Sequence, residues 1–220
     1  MKSSNKILAV AASAACLTFA AQANLITNGS FEDLTGIGSS ASGTAGASLD
    51  AGEWGVYNTI PGWTTVSGAG IELHRTPPSV VGGVLAPDGN VYVELDSHPG
   101  PNSNSAMQQS LTLEPGDYQL TFQYRPRTDS NTDNIIEASF NGVTLVTLSG
   151  PPPTGWTTST TTFSYAGGTA PLKFAALGTQ NTLGGFIDNV KLVQVPDNGS
   201  MMAMLGAGLM GLGFFRRRVA

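Results

Sequence analysis

The eight residues 118–125 alternate strictly, with Tyr118, Leu120, Phe122 and Tyr124 apolar or aromatic and Gln119, Thr121, Gln123 and Arg125 polar. A period of two puts one set on a buried face and the other in water, which is the geometry of a strand and not of a helix. The signature recurs along the chain. Ile136, Ala138 and Phe140 alternate, then Asn141-Gly142 supplies the positive backbone angles of a two-residue hairpin turn, and residues 143–148 return. Further strands are expected at 63–66, 71–74, 91–95, 156–163, 172–177 and 184–193, with a break at Pro151-Pro152-Pro153. Residues 106–113, separated from 118–125 by the turn signal Pro115-Gly116-Asp117, read as that strand's partner in an antiparallel hairpin. Residues 36–52, dominated by Gly, Ser, Ala and Thr, read as a long surface loop after the first strand. About ten short strands, with no amphipathic helix, imply an all-β fold: an antiparallel β-sandwich of two packed sheets.

Both ends of the chain have processing layouts. Lys2 and Lys6 precede an apolar run over 7–20, and Ala21-Gln22-Ala23 precedes Asn24. This is a signal peptide, residues 1–23, cut by signal peptidase after Ala23. Its fourteen apolar residues fall short of the roughly 20 needed to span hydrocarbon. Cys16 opens a lipoprotein alternative, but Ser13-Ala14-Ala15 before it lacks a Leu-like residue. Cys16 is also the only cysteine. The mature chain therefore has no disulfide, no thiolate metal ligand and no thiol nucleophile.

At the other end, Val195-Pro196-Asp197-Asn198-Gly199-Ser200 leads into an apolar run over 201–215 and then Arg216-Arg217-Arg218. A basic cluster after an apolar run stays on the cytoplasmic side, so the segment anchors the chain in the membrane transiently. Residues 24–195 remain, enough for one domain with a real core. They carry five Lys and Arg against fourteen Asp and Glu, a net charge of −9. So few cations leave no footprint for phosphate, which excludes nucleic acid as a partner.

The tail resembles the PEP-CTERM class of sorting signals, and more closely its Val-Pro-Asp-Ser-Gly variant, with Asn198 where that variant has Ser. The resemblance implies recognition of Pro196, Asp197, Asn198 and Gly199 by an exosortase-type sorting enzyme and transfer of the mature protein to the cell surface or an extracellular polysaccharide matrix. The domain carries a second resemblance. Its opening Asn24-Leu25-Ile26-Thr27-Asn28-Gly29-Ser30-Phe31-Glu32, then Pro61-Gly62-Trp63, Tyr92-Val93-Glu94-Leu95-Asp96 and the closing Phe186-Ile187-Asp188-Asn189-Val190-Lys191-Leu192 resemble the galactose-binding-like jelly rolls. Among these it is most similar to a plant cell-wall family of unknown function and its bacterial choice-of-anchor C relatives. The resemblance implies the jelly-roll fold more specifically than a ligand. The leading reading is a non-catalytic domain that binds extracellular polysaccharide or cell-wall glycan or simply packs within that polymer, with a small secreted carbohydrate-active hydrolase or a purely structural coat component as the alternatives. The resemblance also implies a structural calcium ion, Ca2+, between the first and last strands, held by Glu32 and Asp188. A turn cap at Glu32 and strand-end hydrogen bonds at Asp188 are the plainer alternative.

A sugar site needs an aromatic platform with hydrogen-bonding groups beside it. The candidates are Trp54, Tyr57, Tyr92, Tyr124, Arg125 and Arg127. Tyr92 and Tyr124 sit in alternating strands, where packing is the simpler role, and Trp63 reads as a core plug. Trp54 and Tyr57, at the end of the glycine-rich loop, read as loop-borne and exposed. For catalysis the residues offer little. His74 and His98 lack any motif context. Glu94 and Asp96 share a strand face at a spacing suited to the acid and base of glycoside hydrolysis. A solvated strand face is the alternative.

Overall fold

In the computed structural model the described residues are 22–150 and 155–196. They form twelve strands: β1 (Trp54–Tyr57), β2 (Thr59–Ile60), β3 (Trp63–Ser67), β4 (Ile71–Arg75), β5 (Val91–Glu94), β6 (Ala106–Leu113), β7 (Gly116–Arg125), β8 (Ile136–Phe140), β9 (Val143–Leu148), β10 (Thr157–Tyr165), β11 (Gly168–Ala176) and β12 (Phe186–Val195). Two six-stranded antiparallel sheets result, ordered β1-β4-β5-β12-β7-β10 and β2-β3-β6-β11-β8-β9. The molecule is an all-β sandwich of jelly-roll type.

Alternation builds the core as the sequence requires. Tyr118, Leu120, Phe122 and Tyr124 all point inward from β7. Phe122 meets Phe174 of β11 at 5.0 Å between ring centroids, and Trp63 meets Phe174 at 6.0 Å and Phe31 at 5.9 Å. Trp63 is the plug expected of it, 1% exposed, with its indole N–H donating to Asn28 O at 3.1 Å. Each such ring contributes roughly 1.5–3 kcal/mol by burial. The β8–β9 hairpin turns on Asn141 and Gly142, with φ of 50° and 76°.

One expected pairing is not made. β6 pairs with β3 and β11 in one sheet, while β7 pairs with β12 and β10 in the other. Glu114 and Pro115 therefore carry the chain from sheet to sheet as a corner, not as a hairpin turn. Trp54 and Tyr57 belong to β1, not to a loop. The stretch over 36–52 is irregular, as expected, yet it is tied down. Ala41, Thr44 and Ala45 donate backbone hydrogen bonds to β1, and Leu49 is buried.

The opening segment runs beside β12 without forming a regular strand. Leu25 N donates to Leu192 O at 2.8 Å, and the Asn24 side-chain oxygen accepts from Leu192 N at 3.0 Å. Val190 N donates to Gly29 O at 2.8 Å. A Cβ on Gly29 would collide with Val190 O, so this approach needs glycine. β12 itself carries a bulge between Asp188 and Lys191, with Asn189 at φ 53°. The extra residue resets the alternation: Phe186 and Asp188 face outward before it, and Val190 and Leu192 face the core after it.

The signal-peptide residues 1–21, the Pro151–Pro153 break, Asp197, Asn198, Gly199 and the apolar segment 201–215 lie outside the described residues. Among the described residues no helix is long and apolar enough to cross a membrane.

Candidate functional site

Residues that alternate with the core in β4, β5 and β12 gather on the outer face of the first sheet. Ile71, Leu73, Val91, Val93 and Ile187 face inward. Glu72, His74, Tyr92, Glu94 and Phe186 therefore face outward, yet each is almost wholly buried. Three segments cover them. Val84, from the β4–β5 connection, packs on Tyr92 and Phe186 beside Trp156, whose indole N–H donates to Leu85 O at 2.8 Å. His98 N donates to Glu72 Oε2 at 2.8 Å, which draws in the segment after β5. Gly184 N donates to Glu94 Oε1 at 2.7 Å, while Asn181 N and Leu183 N donate to Asp96 at 3.2 and 2.9 Å.

His74 is the centre of this cluster. Its Nε2 lies 2.9 Å from Glu72 Oε1 and 3.2 Å from Glu94 Oε2. Its ring stacks on Tyr92 at 5.0 Å and 7°, and on Trp54 at 6.4 Å and 20°. Its Nδ1 is buried without a partner among the described residues. Burial pushes His74 down, but hydrogen bonds and charge from Glu72 and Glu94 outweigh it and raise the imidazole above its usual value. Burial likewise pushes Glu72 up, while His74 and His98 outweigh it and hold the carboxyl below the ordinary range. Burial and the charge of Glu72 raise Glu94 against the pull of His74 and Arg127. Arg127 Nη1 nevertheless donates to both Glu94 oxygens at 2.7 Å and to Thr182 O at 3.0 Å.

The imidazole nitrogen and two carboxylate oxygens lie within 4.8 Å of one another, a spacing a metal ion could bridge. The electrostatics suit a proton better. Glu72 and Glu94 against Arg127 leave one negative charge, which an imidazolium balances, and the flanking aromatic faces favour a cation between them. Arg127 and Gly184 also occupy Glu94, so the carboxylate has no open side for a ligand.

The sugar candidates divide by face. Trp54, Tyr92 and Arg125 lie on this outer face, in register across the sheet through Trp54–His74–Tyr92 and Glu94–Phe186–Arg125. Tyr57 and Tyr124 point the other way into the core, and Tyr124 OH donates to Asn134 O at 2.7 Å. Tyr57, expected to be exposed, is 2% exposed. Trp54 is half-buried and leans on His98 at 4.7 Å. Arg125 is also half-buried, with a buried Nε that has no partner among the described residues. Glu94 and Asp96, expected on a solvated strand face, are both fully buried beneath the segments that cover this face.

Residues the sequence did not single out matter here. Glu72 is one, and Asn134 is another. Its amide donates to Thr128 O, Ser130 O and Gly150 O, while its oxygen accepts from Arg127 N and Thr128 N. The pattern Ile71-Glu72-Leu73-His74, repeated in Val91-Tyr92-Val93-Glu94, carried a signal: chargeable side chains opposite strongly buried ones on adjacent strands.

The second acidic locus joins Glu32, Asp88 and Asp188. Glu32 Oε1 accepts from Asn90 N and Val91 N at 2.6 Å. Asp188 is fully buried and accepts from Asn189 N at 2.6 Å and Asp88 N at 3.3 Å. Burial, with the charges of Asp88 and Glu32, pushes its carboxyl up to about 8 against those two hydrogen bonds. Oδ1 of Asn189, the next residue in the chain, is buried without a partner among the described residues. A buried carboxylate that feels the charges of Asp88 and Glu32 is one a hard cation would neutralise, although these three carboxylates do not bring one oxygen each within 4.8 Å of one another; among the described residues only Glu72, His74 and Glu94 offer such a cluster.

Residues 194–219 match the family model described as the VPDSG-CTERM motif. The tail is a sorting signal. It marks an exported protein with a C-terminal processing signal. No curated protein matches the chain. Among solved structures, the fold is similar to a native family 35 carbohydrate-binding module from Clostridium thermocellum, at 14% identity over 60% of this chain and 98% of that one, with a TM-score of 0.40. It is similar to TmCBM61 in complex with β-1,4-galactotriose, at 16% identity over 79% and 99%, with a TM-score of 0.45. It is also similar to the C-terminal CBM6 of LamC, a marine laminarinase from Zobellia galactanivorans, at 16% identity over 50% and 86%, with a TM-score of 0.37.

Proposed function

We propose that this is a cell-surface or extracellular-matrix protein whose jelly roll binds carbohydrate, without catalysis, on the outer face of the β1-β4-β5-β12 sheet. Signal peptidase releases the chain after Ala23, and an exosortase-type enzyme acts at Pro196–Gly199 while the apolar segment holds the chain in the membrane. Trp54 is the observation that carries the binding reading. It is a partly exposed indole on β1, backed by His74 and His98, with Arg125 and Arg127 on the same side of the sheet. A pyranose stacked on that indole would meet the His74 and His98 side of the cluster, while Arg125, four strands away in the same sheet, would be reached only by a longer glycan chain.

The test is a glycan array followed by titration of positive glycans. Trp54→Ala should weaken binding by about tenfold or more, which corresponds to about 1.4 kcal/mol, with the circular dichroism spectrum of the fold retained at the assay temperature. Equal binding by the variant, or no glycan bound by the parent, would sink the proposal. Turnover of a bound glycan that disappears in Glu94→Gln would replace it with the hydrolase alternative.

The same reading includes a structural calcium ion held by Glu32 and Asp188, with Asn189 Oδ1 as a further donor. Bound there, the ion would neutralise the buried Asp188 and join the opening segment to β12 in a chain whose mature part has no disulfide.

A further inference from the structure

Both sheets end on one side of the sandwich in a strand with no neighbour among the described residues, β10 in the first and β9 in the second. The two edges are close, since Phe140 of β8 packs on Phe163 and Tyr165 of β10 at 4.9 and 5.0 Å. The edge of the first sheet on the other side is treated differently. There, Ala41 N donates to Val56 O, Val56 N to Ser42 O, and Thr44 N and Ala45 N to Trp54 O. Along β10 the backbone pairs with β7 through nine consecutive residues, and its outer edge meets no backbone partner among the described residues.

An open edge strand is a template for another chain, and proteins blunt such edges with lysine, proline, bulges or short length. β10 uses none of these devices. Its sequence Thr-Thr-Ser-Thr-Thr-Thr-Phe-Ser-Tyr has no charge, no proline and no glycine, and its register on β7 is unbroken. Five threonines give it high strand propensity. The mature chain carries a net charge of −9, so two copies repel over most approaches, and an uncharged edge is where they can meet.

We propose that β10 is a self-association edge, at which two copies of this chain pair their β10 strands antiparallel about a two-fold axis at Thr161. The strand is self-complementary in that register. Thr158 opposes Ser164 and Thr160 opposes Thr162 of the second copy, so the exposed positions of the sheet face meet hydroxyl to hydroxyl, with Ser164, whose own proton is donated to Asp117 Oδ1, as the acceptor. A cross-strand Thr112–Thr169 pair at 2.8 Å already uses this contact within the molecule. The two first sheets then run on as one, through β7-β10 of one copy into β10-β7 of the other. An isologous contact of this kind closes on itself as a dimer. It is independent of any glycan site on the outer face.

The experiment uses the chain from Asn24 to Pro196, which contains every core residue described above. Sedimentation equilibrium over a wide concentration range should show a reversible dimer. Thr160→Lys with Thr162→Lys sets like charges opposite one another twice and should weaken dimerisation about tenfold or more, with an unchanged circular dichroism spectrum. An equimolar mixture of that variant with Thr160→Glu/Thr162→Glu should dimerise again. A parent that stays monomeric at the highest concentration overturns the proposal. So does a lysine variant that dimerises like the parent, or a mixture that does not recover.

Discussion

Arg127 sits 17% exposed against a Glu94 that is wholly buried. Removing one partner from such a pair leaves an uncompensated charge in a low-dielectric site, which costs about 3–5 kcal/mol. Arg127→Met should therefore destabilise the domain by about 3 kcal/mol, read from denaturant unfolding, whereas Lys191→Met on the exposed part of β12 should change little. His74 adds a pH signature. Its folded-state value is raised above 6.5, so its stabilising contribution is complete below about 6.5 and is lost as pH rises through the folded value. Asp188, raised from 3.8 to about 8, also loses stability as pH rises, over the interval between those two values. The difference in stability between parent and His74→Gln cancels the Asp188 part. That difference should shrink from pH 6 upward. A constant difference across the series would mean that His74 holds no extra proton in the fold.

At the scale of elements, legibility followed the range of the interaction. β7, β8, β9 and the Asn141-Gly142 turn were plain because period and turn chemistry are local. The β6–β7 pairing was misread for a physical reason. Both strands alternate and bury one face, and they would do so in one sheet or in two. Only the destination of Glu114-Pro115 distinguishes a hairpin from a corner, and residues distant in sequence decide that. β1 was missed because Trp54-Gly55-Val56-Tyr57 follows a glycine-rich stretch and its outward Val56 is also buried, which blurs the alternation. The outer-face cluster was hidden for a related cause. A strand face opposite the core is expected to be wet, and nothing local announces that the segments over 76–90, 96–104 and 181–185 fold down to cover it. Glu94 and Asp96 therefore looked like surface residues. The bulge at Asn189 was equally silent, although it sets which way Asp188 faces.

Over the whole molecule, the opening segment and β12 are neighbours, and Glu32 and Asp188 stand where the two come together. If calcium occupies that locus, one substitution should act with opposite signs in two buffers. With a chelator near neutral pH, Asp188 has no counter-charge beside Asp88 and Glu32, so the fold holds it largely protonated, and its raised value of about 8 reflects the cost of burying it there. Asp188→Asn removes that burden and should stabilise the metal-free domain near neutral pH by on the order of a few kcal/mol. With calcium about 100-fold above its Kd, the parent should gain about 2.7 kcal/mol, because the ion binds the native state alone. The variant, short of one anionic ligand, should gain little. Thermal melts of both proteins in both buffers therefore give a crossed pattern, with the variant ahead in chelator and its lead reduced or reversed in calcium. Parent curves that superimpose with and without calcium would reduce Glu32 to a cap on Asn90 and Val91 and Asp188 to a strained strand-end residue. A calcium response of undiminished size in Asp188→Asn would place the ion elsewhere.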